Sequence, residues 1–153
     1  MDVHDRQTRS FNMSRIRGKS TKPEFQVRSI CHQLGFRYRI HRKDLPGKPD
    51  LVFPKYHAVI FVNGCFWHGH DCRLFKLPAT RQGFWTEKIE GTVSRDQYQL
   101  TRLTELGWRV MTIWECALKG KSRLENPEIG YQISRWLRSD ILVSELKGHR
   151  DES

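Results

Sequence analysis

The chain carries little acid for the base it holds. Asp and Glu number 17 against 27 Lys and Arg, a formal net charge of +10 over 153 residues. That balance disfavours basic partners and points to polyanions, of which nucleic acid is the usual soluble one. An anionic membrane surface would call for a basic amphipathic helix with one apolar face, and none stands out. Long apolar runs are missing as well: no stretch approaches the ~18 residues of a spanning helix, and Met1–Arg6 leads into no apolar leader core. The expectation is a cytoplasmic protein with reduced thiols. Cysteine is scarce, with four residues, and in a reducing compartment such a set suggests metal before disulfide. With 37% hydrophobic and 29% charged residues, the composition is that of a soluble globular domain. A domain of this size buries about 68–70% of its unfolded surface, so its core needs no metal to form.

No internal repeat appears. Residues 1–22 are polar and basic, with Arg15, Arg17 and Lys19 among their cations, and read as a mobile arm. Thr21 or Lys22 followed by Pro23 opens a helix that Gly35 ends. Residues 36–40 alternate like a half-buried strand, Leu51–Phe53 make a short buried strand, and a third runs from His57 to Val62. Residues 86–106 read as a helix with a kink at Gly91, residues 108–114 as a central strand, and Ile129, Ile133, Trp136 and Leu137 as the apolar face of a closing helix. Trp108 and Trp114 are assigned to the core, and Trp136 to helix packing. The expected domain spans 23–140, followed by a frayed tail over 141–153. The fold class is α/β, a mixed sheet flanked by helices.

Cys65, His70 and Cys72 stand within eight residues just past one strand, and Cys116 follows another. If those strands run parallel and adjacent, their ends meet and the four residues form a Cys₃His set, the ligand pattern of a closed structural zinc site. The alternative is buried thiols beside a surface histidine. His68 and His4 are possible substitute ligands, Asp71 a supporting acceptor, and Cys31 an inert core thiol.

Pro49-Asp50 at a strand start, with another strand about ten residues on, resembles the restriction-endonuclease core. There an Asp and two groups of the next strand hold a hard cation such as magnesium. The second half of that motif is absent. Phe61-Val62-Asn63 offers the Val62 carbonyl but no charged side chain. Proton transfer must come from elsewhere, and His68 is the nearest candidate. Glu24 could bond to metal-bound water, or simply favour a helix N-terminus.

The run Asn63-Gly64-Cys65-Phe66-Trp67-His68-Gly69-His70-Asp71-Cys72 resembles the signature of the very-short-patch repair endonucleases. Further matches lie in Asp2–Asp5, Thr8–Ser10, Asn12-Met13, Leu45–Asp50, Lys76–Arg81, Phe84–Ile89, Leu106–Val110 and Trp114–Leu118, over about residues 2–120. The resemblance implies a restriction-endonuclease-like fold and nicking of one DNA strand beside a T:G mispair. It implies magnesium at Asp50 and the Val62 carbonyl, Glu24 on its water shell, His68 as catalytic histidine, and zinc at Cys65, His70, Cys72 and Cys116. It further implies an aromatic wedge of Phe66, Trp67 and Trp85, a DNA grip by the basic arm, and as partners the mismatch-repair protein MutL and a gap-filling polymerase.

Asn63 departs from the histidine common in that family, and it can hydrogen-bond but carry no proton. Two other functions fit the same residues: a nicking endonuclease without mismatch preference, and a zinc module that only binds distorted DNA. With no second apolar face, a monomer is expected.

Overall fold

The computed structural model describes residues 21–149. Arg15, Arg17, Lys19 and His4 lie outside the described residues. The elements in chain order are α1 (Lys22–Gln33), β1 (Leu51–Phe53), β2 (Ala58–Asn63), α2 (Gln82–Glu105), β3 (Arg109–Trp114), α3 (Asn126–Leu137) and β4 (Val143–Leu146). They make the expected α/β architecture around one sheet of order β1-β2-β3-β4. β1 is antiparallel to β2, while β2, β3 and β4 run parallel.

Side chains alternate across a strand, so β2 serves two cores at once. Its Ala58 and Ile60 join Leu51, Phe53, Met111 and Ile113 against Val27 and Ile30 of α1 and Ile129 and Ile133 of α3. Its Val59 and Phe61 face the other way, with Val52, Val110 and Trp108, onto Leu100 and Leu103 of α2. A strand covered on both faces reads as continuously apolar, as Ala58-Val59-Ile60-Phe61-Val62 does.

Several boundaries differ from the sequence reading. The strand expected over 36–40 is reduced to one bridge, Arg39 with Val52, because β1 offers only three residues to pair with. α2 begins at Gln82, four residues early, and continues through Gly91 as helix. Residues 143–146, expected in a frayed tail, form β4 because the edge of β3 is open to them and Leu146 reaches the core. Trp108 and Trp136 are buried as expected, at 8% and 3% exposure. Trp114 is only half-buried, and its ring lies flat against His70, centroids 4.2 Å apart.

Arg109 ties α3 to the sheet. Its guanidinium donates to the carbonyls of Trp136 (3.0 Å) and Leu137 (2.8 Å) and lies 4.9 Å from the Trp136 ring. These carbonyls lie at the C-terminal end of α3, where the Trp136 carbonyl also accepts from Ser139, and the cation meets the negative end of the helix.

Candidate active site and metal-binding loop

The parallel register sets the site. Asn63 of β2 pairs with Trp114 of β3, and Cys65 and Cys116 each follow two residues later. Equal offsets from paired residues bring the two thiols together. The loop then folds back, with the His70 N–H donating to the Cys65 carbonyl at 2.9 Å. Cys65, His70, Cys72 and Cys116 each offer one ligand atom, all within 4.8 Å of one another. His70 Nδ1 lies 3.5 Å from Cys65 Sγ and 3.7 Å from Cys116 Sγ. This cluster could hold a metal ion. Asp71 is exposed, and Cys31, buried in the other core, has its thiol pushed up to about 12 by burial.

Two backbone amides point at the sulfurs. The Cys116 N–H donates to Cys65 Sγ and the Gly148 N–H to Cys116 Sγ, both at 3.3 Å. Gly148 must be glycine: a Cβ there would stand 2.4 Å from the Cys116 carbonyl oxygen and 2.6 Å from that of Ser122. Burial pushes the Cys65 and Cys116 thiols above the ordinary range and His70 below its own. A neutral imidazole is the form that ligates.

Asp50 is held at the start of β1. Its N–H donates to the Ile60 carbonyl, and its Oδ2 accepts from the Val62 N–H at 2.7 Å. The carboxylate therefore sits beside the Val62 peptide near the end of β2. Gly47, at φ +78°, allows the preceding turn to press on α2, where a Cβ would meet Gln99 Oε1 at 2.9 Å.

His68 reaches a different element. Its Nδ1 is 2.6 Å from Asp96 Oδ2 on α2. An acceptor on Nδ1 favours the proton there and leaves the Nε2 lone pair as the acceptor of the neutral ring. His68, Asp96 and Asn63 line one cavity of about 510 Å³ with Gln99 and Trp114. Between His68 and His70, Gly69 has φ +64°, and a Cβ would come within 2.9 Å of Ile89 on α2.

Glu24 is more than a solvated charge in the first turn of α1. It is 3% exposed and pairs with Arg28, Nη2 to Oε2 at 3.1 Å. The aromatics cluster beside the loop. Phe66 lies 5.1 Å from Trp67 and 5.6 Å from Trp85, and Trp67 lies 5.9 Å from Trp85, centroid to centroid. Trp67 is 53% exposed.

Asp96 was missed by reading motifs, although a signal was present. Ile89, Val93, Leu100 and Leu103 form an apolar stripe on α2, and Asp96 interrupts it at helical spacing. A carboxylate in such a stripe needs a partner.

A family model described as DNA mismatch endonuclease Vsr matches residues 1–74. The DNA mismatch endonuclease Vsr of Escherichia coli (strain K12) is 46% identical over 136 residues, covering 89% of this chain and 87% of that protein. The type II nicking enzyme V.XorIIP of Xanthomonas oryzae pv. oryzae is 50% identical over 117 residues, covering 76% and 86%. Among solved structures, the catalytic domain of homing endonuclease I-Bth0305I superposes with a TM-score of 0.52 at 23% identity, covering 78% of this chain and all of that domain. That likeness shows the fold, a restriction-endonuclease-like core. With nearly half its residues shared with the Escherichia coli protein over most of both lengths, the chain belongs to the DNA mismatch endonuclease Vsr family.

Proposed function

We propose that this protein nicks one strand of duplex DNA beside a T:G mispair by hydrolysing a phosphodiester. The observation that carries the reading is the pairing of His68 with Asp96 at 2.6 Å, in a chain of this family whose Asp50 carboxylate is bonded to the Val62 N–H near the end of β2.

The attacking water passes a proton to His68 Nε2 as its oxygen bonds to phosphorus, and the bond from phosphorus to the departing sugar oxygen breaks. That oxygen takes up a proton from solvent. Asp96 holds the imidazole in orientation and stabilises its charged form. Asn63 lines the same cavity and can hydrogen-bond to water or phosphate without carrying a proton. Asp50 and the Val62 carbonyl fit magnesium, which prefers oxygen ligands and would neutralise phosphate charge and acidify water. Glu24, held by Arg28, is the further carboxylate we assign to the water shell.

Zinc is the metal we assign to Cys65, His70, Cys72 and Cys116. A tetrahedral zinc with ordinary bond lengths sets nitrogen-to-sulfur edges of about 3.6 Å. The 3.5 and 3.7 Å edges in the cluster support it. Phe66, Trp67 and Trp85 form the wedge, entering a base step that a mispair makes easier to open. Arg15, Arg17 and Lys19 grip the duplex in this reading, and MutL and a repair polymerase are partners of a cytoplasmic monomer.

The relatives named as nicking enzymes favour a second reading, nicking without mismatch preference. One assay separates the two: T:G and T:A duplexes with randomised flanks, incubated with magnesium or with EDTA. Nicking confined to T:G with magnesium is expected. Equal nicking of both duplexes would establish the second reading, and no nicking of either would end both.

A further inference from the structure

α2 carries a second feature that the reaction does not use. Arg81, Lys88, Arg95 and Arg102 recur every seven residues, from the N-cap into the last turn of a 24-residue helix. At 3.6 residues per turn, seven-residue spacing keeps them within about 60° of one another. All four are exposed. The stripe therefore runs about 31 Å along the helix at a rise of 1.5 Å per residue.

Its composition is not that of an ordinary solvated face. Ion pairs three or four residues apart usually lace such helices. Here Glu87 and Glu90 stand off the stripe, roughly 100° or more around the helix from Lys88, the nearest of its cations in sequence. Among the described residues, Arg81, Lys88 and Arg95 have no carboxylate within salt-bridge distance, and only Arg102 has one, Glu105 at 2.8 Å. Aromatics interleave with the cations. Phe84 lies 4.3 Å from the Arg81 guanidinium and 5.9 Å from Lys88 Nζ, and Tyr98 is 66% exposed. Segregating like charges on one face costs repulsion, which an opposing polyanion would relieve.

We propose that this stripe is a second contact track for the duplex. It would grip the phosphate backbone over about nine base pairs leading away from the wedge, with Arg95 and Arg102 as its distal phosphate contacts. The proposal rests on the DNA-nicking reading above. The match is one of length and charge: duplex DNA presents a negative charge about every 1.7 Å of axis. Trp85 lies beside the start of the stripe, and Asp96, the partner of His68, is next to Arg95. The track thus sets the direction in which the duplex leaves the site, and so which strand meets His68.

The test is the paired variant Arg95→Gln/Arg102→Gln, since glutamine keeps helix propensity and a melting curve reports any loss of fold. Affinity for T:G and matched duplexes is measured across a salt series. Losing two phosphate contacts lowers the slope of log affinity against log salt by roughly 0.9 per contact, while the mismatch-to-match ratio stays within about twofold. Each duplex arm is also shortened in turn. Wild type loses affinity when one particular arm is cut, and the variant no longer responds to that cut. An unchanged salt slope, or equal responses to arm length, overturns the track even where wild type nicks T:G normally. A wild type that binds no duplex overturns the underlying reading instead.

Discussion

His68 Nδ1 and Asp96 Oδ2 meet at 2.6 Å across 28 residues of sequence. The contact joins the loop after β2 to the middle of α2, and it holds the ring of His68, the base in the proposed reaction, in one orientation. Asp96→Asn can offer an amide donor to Nδ1 and so favour the wrong tautomer. Nicking of a T:G duplex under single-turnover conditions should fall by about 10²–10⁴, the range of general acid–base catalysis, with affinity for that duplex held within about twofold. A parallel loss of affinity would make Asp96 structural.

Gly69 separates the two histidines, and its φ of +64° and the 2.9 Å approach of a Cβ to Ile89 leave little room for any side chain. Gly69→Ala should destabilise the fold by about 1–2 kcal/mol from the left-handed backbone alone. It should also lower nicking and metal content together, because His68 and His70 move as one. A variant with wild-type melting and full metal would show that the loop has slack.

The metal-binding loop should hold one tightly bound ion per chain by elemental analysis, with zinc expected. Cys72→Ser should lose it and lower the melting temperature. Burial pushes the Cys65 and Cys116 thiols up, so binding must release protons. Affinity therefore rises with pH and falls as pH is lowered. Zinc affinity independent of pH between about 6 and 8 would contradict thiolate ligation.

Much of this was legible in the sequence. The apolar run from His57 to Val62 announced a strand, and the crowding of Cys65, His70 and Cys72 announced a ligand cluster. Cys116 could be joined to them only on the premise of parallel strands, which the Asn63–Trp114 register satisfies. What stayed hidden depended on tertiary pairing. β4 has three exposed or half-exposed residues of four, so its pattern gave no strand signal, and only the open edge of β3 makes it one. Residues 36–40 had the right alternation and almost no neighbour to pair with. Glu24 looked like a helix-end charge because its burial against Arg28 depends on how α1 packs.

Trp67 is 53% exposed, so Trp67→Ala should change melting far less than the ~3–5 kcal/mol of a core tryptophan. Binding to T:G DNA should weaken by about 1–3 kcal/mol, the scale of aromatic stacking on a base, and discrimination against matched DNA should fall with it. Paired titrations and a melting curve decide the matter. A large loss of stability with an unchanged mismatch ratio would remove Trp67 from the wedge.

Asp50, placed 2.7 Å from the Val62 N–H, belongs in the proposed reaction to the chemistry and not to DNA binding. The direct measurement is single-turnover nicking of a T:G duplex by Asp50→Asn in magnesium, beside its equilibrium affinity for the same duplex. No detectable nicking is expected, with affinity within about twofold of wild type. Retained nicking, or a loss of affinity as large as the loss of cutting, would contradict it.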